Sequence, residues 1–170
     1  MLYILWSLLT TAFLILFFAL VLSLFTKGKK LFANKYGNAI IVVLVIGVLG
    51  IMNAKEDKHK NTYAMHGNAI ETNVTRSVDM RMHESASLIF HLSIRFKQNA
   101  KGEFIPSYSS SSLSGFVSGF QWKYKYINID KNTDGTFSYG AHGVLYWDLL
   151  GINFYTQNRD FTGTFQLEEY

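Results

Sequence analysis

The chain has no cysteine and a single proline, and only 16% of its 170 residues are charged. Without cysteine there is no thiol to join a zinc site, and the five histidines, His59, His66, His83, His91 and His142, lack close ligand spacings of their own. They read as scattered surface histidines. A Gly-x-Ser-x-Gly elbow and a phosphate-cradling Walker loop are also missing, so no nucleophile or nucleotide-hydrolysing machinery is legible and the chain reads as a non-enzyme. Absence of cysteine is compatible with either side of a membrane. The length leaves no room for a second catalytic domain of typical size.

What is abundant is apolar sequence, 49% of the chain, and it is unevenly placed. Residues 2–25 carry no charge and would extend about 36 Å as a helix, enough for a bilayer core of ~30 Å. This stretch reads as a transmembrane helix; it lacks the basic start, short apolar core and small-x-small site of a cleaved signal. Ser7, Thr10 and Thr11 lie within a turn of one another, suited either to packing against a neighbouring helix or to bonding their own backbone carbonyls. A second run, residues 39–52, is flanked by Lys35, Tyr36 and Lys55, which can reach the headgroups. Helices over about 2–25 and 36–53 would make residues 1–53 a transmembrane hairpin, with residues 54–66 as a charged, solvated neck.

Charge separates along the same boundary. Lys27, Lys29, Lys30 and Lys35 lie in the connection between the apolar runs, and beyond residue 53 twelve basic residues balance twelve acidic ones. The high pI therefore belongs to a membrane loop. A neutral distal domain speaks against binding nucleic-acid duplexes. Four lysines in the connection against Lys55, Lys58 and Lys60 beyond the second run favour a cytoplasmic connection and an exported domain. Asn73-Val-Thr75 is a glycosylation sequon of the kind expected by chance.

Residues 67–170 have the period of strands. Leu88, Phe90, Leu92, Ile94 and Phe96 alternate with polar or exposed positions, as do Phe120, Trp122, Tyr124 and Tyr126, and then Phe161, Gly163, Phe165 and Leu167. Weaker strands are expected over 69–82, 102–106, 114–119, 136–141, 143–147 and 150–155. Turn signals stand at 131–135 and 157–160, a polar loop at 109–112, and sharp bends at Gly115, Gly119, Gly140 and Gly143. The expected fold class is a membrane-anchored all-β protein, its two-helix hairpin followed by a small antiparallel β-barrel of about eight strands. Asp130-Lys-Asn132-Thr-Asp134-Gly135 matches half of a calcium loop, but position twelve is Ala141, and a hairpin turn is the better reading.

The domain is rich in aromatics, which either fill the core or form a ligand box. For a ligand carrying bases and phosphates, Trp122 and Tyr124 are candidate stacking residues and Arg95 a candidate phosphate contact. Lys123, Lys125 and Arg159 are the other basic residues near the aromatics.

The whole arrangement, two transmembrane helices, a charged neck and a small β-domain, resembles the two-transmembrane β-barrel effectors of bacterial cyclic-nucleotide anti-phage immunity, as in CBASS and Panoptes. The C-terminal stretch Leu149-Leu-Gly-Ile-Asn-Phe-Tyr-Thr-Gln-Asn-Arg-Asp-Phe-Thr-Gly-Thr-Phe-Gln-Leu167 is similar to that family's closing strand pair, in which Leu-x-Gly, an aromatic, Asn-Arg and Thr-Gly-x-aliphatic-x-Leu recur. Glu168-Glu169-Tyr170 replaces the family's basic ending. The resemblance implies a multi-pass protein of the bacterial inner membrane with a cytoplasmic β-domain. That domain would bind a cyclic di- or oligonucleotide made by a partner nucleotide cyclase, with no further cofactor. Binding would drive homo-oligomerisation of the hairpins, membrane disruption and abortive infection. It also implies Asn158 and Arg159 as ligand contacts. The rival reading is a non-enzymatic structural or interaction subunit whose β-domain is exported and anchored in the envelope.

Overall fold

A computed structural model of the chain describes residues 1–28, 36–53, 61–65, 75–85, 87–99 and 101–167. Most of the expected neck (54–60 and 66), the start of the strand expected over 69–82, Asn73, His59, His66 and Lys29, Lys30 and Lys35 of the connection lie outside the described residues. The elements are α1 (Leu2–Lys27), α2 (Gly37–Asn53), β1 (Thr62–Ala64), β2 (Thr75–Glu84), β3 (Leu88–Gln98), β4 (Phe104–Gly115), β5 (Phe120–Lys131), β6 (Phe137–Leu149) and β7 (Ile152–Phe165). The chain divides into two compact units. One holds the helices together with Ser118–Phe120 and Trp147–Tyr155; the other holds the rest of the strands.

In the helix unit, α1 is long and apolar enough to cross a membrane, and only 11% of its most apolar window is buried, unlike the core helix of a water-soluble fold. Leu5, Leu9, Ile15, Phe18 and Leu22 are all exposed. α2 departs from expectation. At 17 residues it reaches about 25 Å and falls short of a span by length. The short connection makes the helices antiparallel, and they meet where Phe17, 3% exposed, lies flat on Gly47. A Cβ at Gly47 would sit 2.0 Å from the Phe17 ring, so glycine is what permits this approach.

The strands form two antiparallel sheets, ordered β1-β4-β3-β2 and β5-β6-β7. The expected closed barrel of about eight strands is therefore corrected to two sheets, and no hydrogen-bonded ladder joins them among the described residues. Alternation reveals which face of a strand is buried, but barrel and sandwich satisfy it equally; closure depends on edge pairing. Here Asn61 fills that gap with a side chain. Its backbone carbonyl accepts from Ser111 N at 2.9 Å, while its amide donates to Trp122 O at 2.8 Å and accepts from Tyr124 N at 3.0 Å. Asn61 and β1 thus lie in the range read as a solvated neck.

The core of the β unit is the one that alternation expects from β3. Leu88, Phe90, Leu92, Ile94 and Phe96 are at most 2% exposed. Phe90 meets Trp122 and Phe161 at 5.0 and 4.9 Å, and Phe96 meets Phe137 at 5.2 Å, in the tilted and edge-on geometries aromatic pairs favour. Three expected breaks are absent. β6 runs unbroken through Gly140 and Gly143, β7 passes straight through 157–160, and β4 includes the serines of 109–112. Gly143 is there for space, since a Cβ would stand 2.2 Å from Trp122 Cη2. The strand expected over 114–119 is instead mostly a turn. In β5 the inward phase slips, so Tyr126 is exposed and Ile127 takes the buried place.

The hairpin expected at 131–135 is present. Asp134 Oδ1 accepts from the Thr136 backbone N–H at 2.9 Å and from its hydroxyl at 2.7 Å, which lowers the Asp134 pKa. β6 turns into β7 through Leu150 and Gly151, with φ of 49° and 82°. Both central residues of this two-residue turn are left-handed, as a primed hairpin turn requires.

Candidate functional site

The outer face of the four-stranded sheet carries a groove with a volume of about 610 Å³. Register places its side chains in rows across β2, β3 and β4: Arg81, His91 and Ser112 in one, Asp79, Ser93 and Ser110 in the next, and Ser77, Arg95 and Tyr108 beside them. Two bulges, at Arg81/His83 and at Arg95/Phe96, coil the sheet locally. The chain's one proline, Pro106, faces Phe96 at the second bulge, a place where the ladder tolerates a missing N–H.

The serine run explains how one strand serves both faces. Ser109 and Ser111 point inward and are buried. Ser109 Oγ pairs with the Tyr124 hydroxyl at 2.8 Å, and Ser111 Oγ accepts from Trp122 Nε1 at 2.9 Å while donating to His91 O at 2.7 Å. Ser110, Ser112 and Ser114 point outward and line the groove. Ser114 Oγ lies 2.6 Å from His91 Nε2. This pair has the reach of a nucleophile and its base, yet among the described residues no carboxylate bonds the other ring nitrogen, so the orienting third group of a catalytic set is missing. Arg81 is held by Glu84 at 3.0 Å on the exposed rim, and the Arg95 guanidinium lies 5.8 Å above the Tyr108 ring. Chemically, the groove offers a row of hydroxyls able to donate and accept, one imidazole and the Asp79 carboxylate, with a planar cation stacked on an aromatic face beside it.

The residues singled out by sequence do not form one site. Trp122 and Tyr124, each 6% exposed, are core residues whose polar atoms are satisfied by Ser111 and Ser109; for these two, core filling is the correct alternative. Burial pushes the Tyr124 hydroxyl up to about 12. Arg95 is exposed on β3, beside the groove. Asn158 and Arg159 are neighbours on β7 and face opposite ways, Asn158 outward and Arg159 half-buried with its guanidinium pKa lowered by burial. They belong to the other sheet. Lys123 and Lys125 flank the buried positions of β5. Sequence reading missed Ser93, Ser110, Ser112 and Ser114; the signal for them was a serine every second residue, hidden inside an apparent polar loop.

The outer face of the three-stranded sheet holds a smaller cluster. Tyr126 stacks on the His142 ring at 4.4 Å, and His142 Nδ1 lies 2.7 Å from Asp160 Oδ1. Asn158 lies two residues from Asp160 and shares its outward phase. No protein-family model, curated protein or solved structure matches this chain.

Proposed function

We propose that the chain is a membrane effector of bacterial anti-phage defence that takes a cyclic di- or oligonucleotide in the serine-lined groove and in response self-associates through its helices in the inner membrane. The observation that carries this reading is the pairing of two surfaces in one small chain. One is a hydroxyl-rich groove of ligand size beside a cation–aromatic plate; the other is a helix apolar on nearly every side. Ligand pockets fall at roughly 300–1,000 Å³, so the volume suits a compact nucleotide. From His91 to Arg95 the face runs about 13 Å, at ~3.3 Å per residue, long enough for a phosphate on the hydroxyls and a base on Arg95 and Tyr108.

A ligand can drive assembly only by binding the assembled state more tightly than the resting one. The second helix, short as a span by length, completes a multi-pass hairpin through its flanking Tyr36, Lys35 and Lys55. The reading requires the β-domain on the cytoplasmic side, where the product of a nucleotide cyclase would reach it, against the lysine count of the connection. Asn158 and Arg159, taken from the family resemblance, face opposite sides of β7 in the other sheet and stand apart from the groove.

The test uses the full chain in lipid nanodiscs, titrated with a panel of cyclic di- and oligonucleotides. Saturable binding by one of them is expected, weakened by Arg95→Ala by about 1–3 kcal/mol, the worth of a stacked base. No saturable binding across the panel refutes the reading. So does export of a reporter fused to the C-terminus, which would favour the envelope-subunit alternative.

A further inference from the structure

The first turns of α1 pack on protein, and what they touch is aromatic. Trp6 Nε1 donates to Gly119 O at 3.0 Å, and the Thr10 and Thr11 hydroxyls meet the Ser118 hydroxyl, each at 3.2 Å. Tyr3 lies 5.7 Å from Phe120 and 5.3 Å from Trp147, and Trp6 lies 5.8 Å from Trp147 and 6.1 Å from Phe154. Thr10 and Thr11 of the Ser7–Thr10–Thr11 stripe therefore bond the turn before β5, and Thr10 also bonds Ser7 O at 3.0 Å within its own helix. Gly119 is shaped to this contact. Its φ is +77°, and a Cβ there would meet Thr10 Cγ2 at 2.5 Å.

The depth of this corner follows from helix geometry. The first charge along α1 is Lys27, which marks the far headgroups. A hydrocarbon core of ~30 Å takes about 20 residues of helix, so the near boundary falls close to Ser7. Tyr3 and Trp6 then lie in the interfacial zone, where Trp and Tyr concentrate. Every strand residue in contact with them lies at the same level. On that corner Phe154 and Tyr155 are 59% and 56% exposed, and Leu2, Leu5, Leu8 and Leu9 continue the apolar surface along α1.

We infer that the strand-end corner of the helix unit, with Phe154 and Tyr155 at its tip, is a phospholipid contact seated at the headgroup level of the membrane that α1 crosses. Water is the wrong solvent for adjacent exposed aromatics continuous with a charge-free helix, and a headgroup layer accepts both their rings and the Tyr155 hydroxyl. The inference rests on α1 lying in a bilayer, as proposed above.

Because the chain has no cysteine, single probes can be placed cleanly. Phe154→Cys and Leu16→Cys, both at exposed positions, are labelled with a fluorophore in the full chain and reconstituted in phosphatidylcholine vesicles. The lipids carry bromine near the glycerol or near the chain ends. The label at 154 is expected to lose fluorescence most with shallow bromine, and the label at 16 most with deep bromine. Quenching at 16 with none at 154 overturns the corner contact and leaves the spanning helix intact. Failure to float with vesicles, or a silent label at 16, overturns both.

Discussion

Replacing Gly143 by alanine tests how closely β6 packs on the Trp122 ring of the neighbouring strand β5. The backbone there is ordinary, with no left-handed φ, so the effect is one of space alone. The new methyl would lie 2.2 Å from Trp122 Cη2, 2.5 Å from Cζ2 and 2.9 Å from the Lys123 carbonyl oxygen. Carbon atoms rest at about 3.5–4.0 Å, so the indole would have to retreat by more than about 1 Å. It has little freedom to do so. Ser111 holds its N–H, and the rings of Phe90 and Phe161 pack against it. Overpacking by one carbon costs about 1–3 kcal/mol, and with a backbone carbonyl as the second obstacle the upper end is expected. For a β unit of about 100 residues this lowers Tm by roughly 10–20 °C. Urea unfolding of the full chain in detergent, followed by tryptophan fluorescence, measures it. Trp122→Phe should relieve the clash, so the double variant should be less destabilised than the two singles added together. A Gly143→Ala midpoint indistinguishable from the parent, or strictly additive singles, would refute the packing argument.

Other outcomes follow from individual contacts. Because the folded Tyr124 titrates at about 12 and the unfolded residue near 10, its stabilisation is complete below pH ~10 and is lost as pH rises toward 12. Two units correspond to about 3 kcal/mol, and Tyr124→Phe should flatten that fall, leaving the smaller contribution of Tyr139, also raised by burial; an unchanged alkaline profile would contradict it. Asn61→Ala removes two side-chain bonds to the β5 backbone and should cost about 1–3 kcal/mol, measured by the same unfolding assay. Leu150→Gly should stabilise by about 1 kcal/mol, because leucine at φ 49° carries a left-handed penalty that glycine avoids; destabilisation would mean that the Leu150 side chain contributes more than its backbone costs.

Much of the architecture was legible because two signals are local. A charge-free run announces α1, and strict alternation announces β3 with its buried face. Less local features were opaque. Glycine has two uses, bending a strand or making room against a ring, and only the position of Trp122 distinguishes them at Gly143. Polar stretches have two uses as well. The serines of 109–112 look like a loop because serine favours turns, yet in β4 two of them satisfy buried aromatic donors and the others line a groove. The same pairing decides Trp122 and Tyr124, which a sequence reader can take for ligand-stacking residues until the inward serines that satisfy their polar atoms are seen. Closure of the sheets was unreadable for a different reason: it turns on Asn61, a lone amide in a stretch that otherwise reads as a solvated tether.

The unequal lengths of the helices tie the membrane reading to assembly. With Phe17 level with Gly47 and the helices antiparallel, the end of α2 at Asn53 stands level with about Thr11 of α1. The near hydrocarbon boundary, set by α1, falls near Ser7. In a bilayer holding both arms, α2 therefore ends about 6 Å below that boundary, whereas α1 continues past it into the aromatic corner. On the proposed hairpin, one arm reaches its proper depth and the other is too short for the same leaflet. Such a deficit is relieved by thinning the bilayer or by gathering short segments together, at a cost of fractions of a kcal/mol per Å. For one hairpin that is tolerable; in the assembly proposed above the deficits would coincide and the thinned patch would grow. If the proposed effector function holds, lengthening α2 by four leucines after Val48 should suppress membrane leakage without loss of nucleotide binding. Leakage of a dye from vesicles that persists unchanged in the lengthened protein would separate the damage from the mismatch.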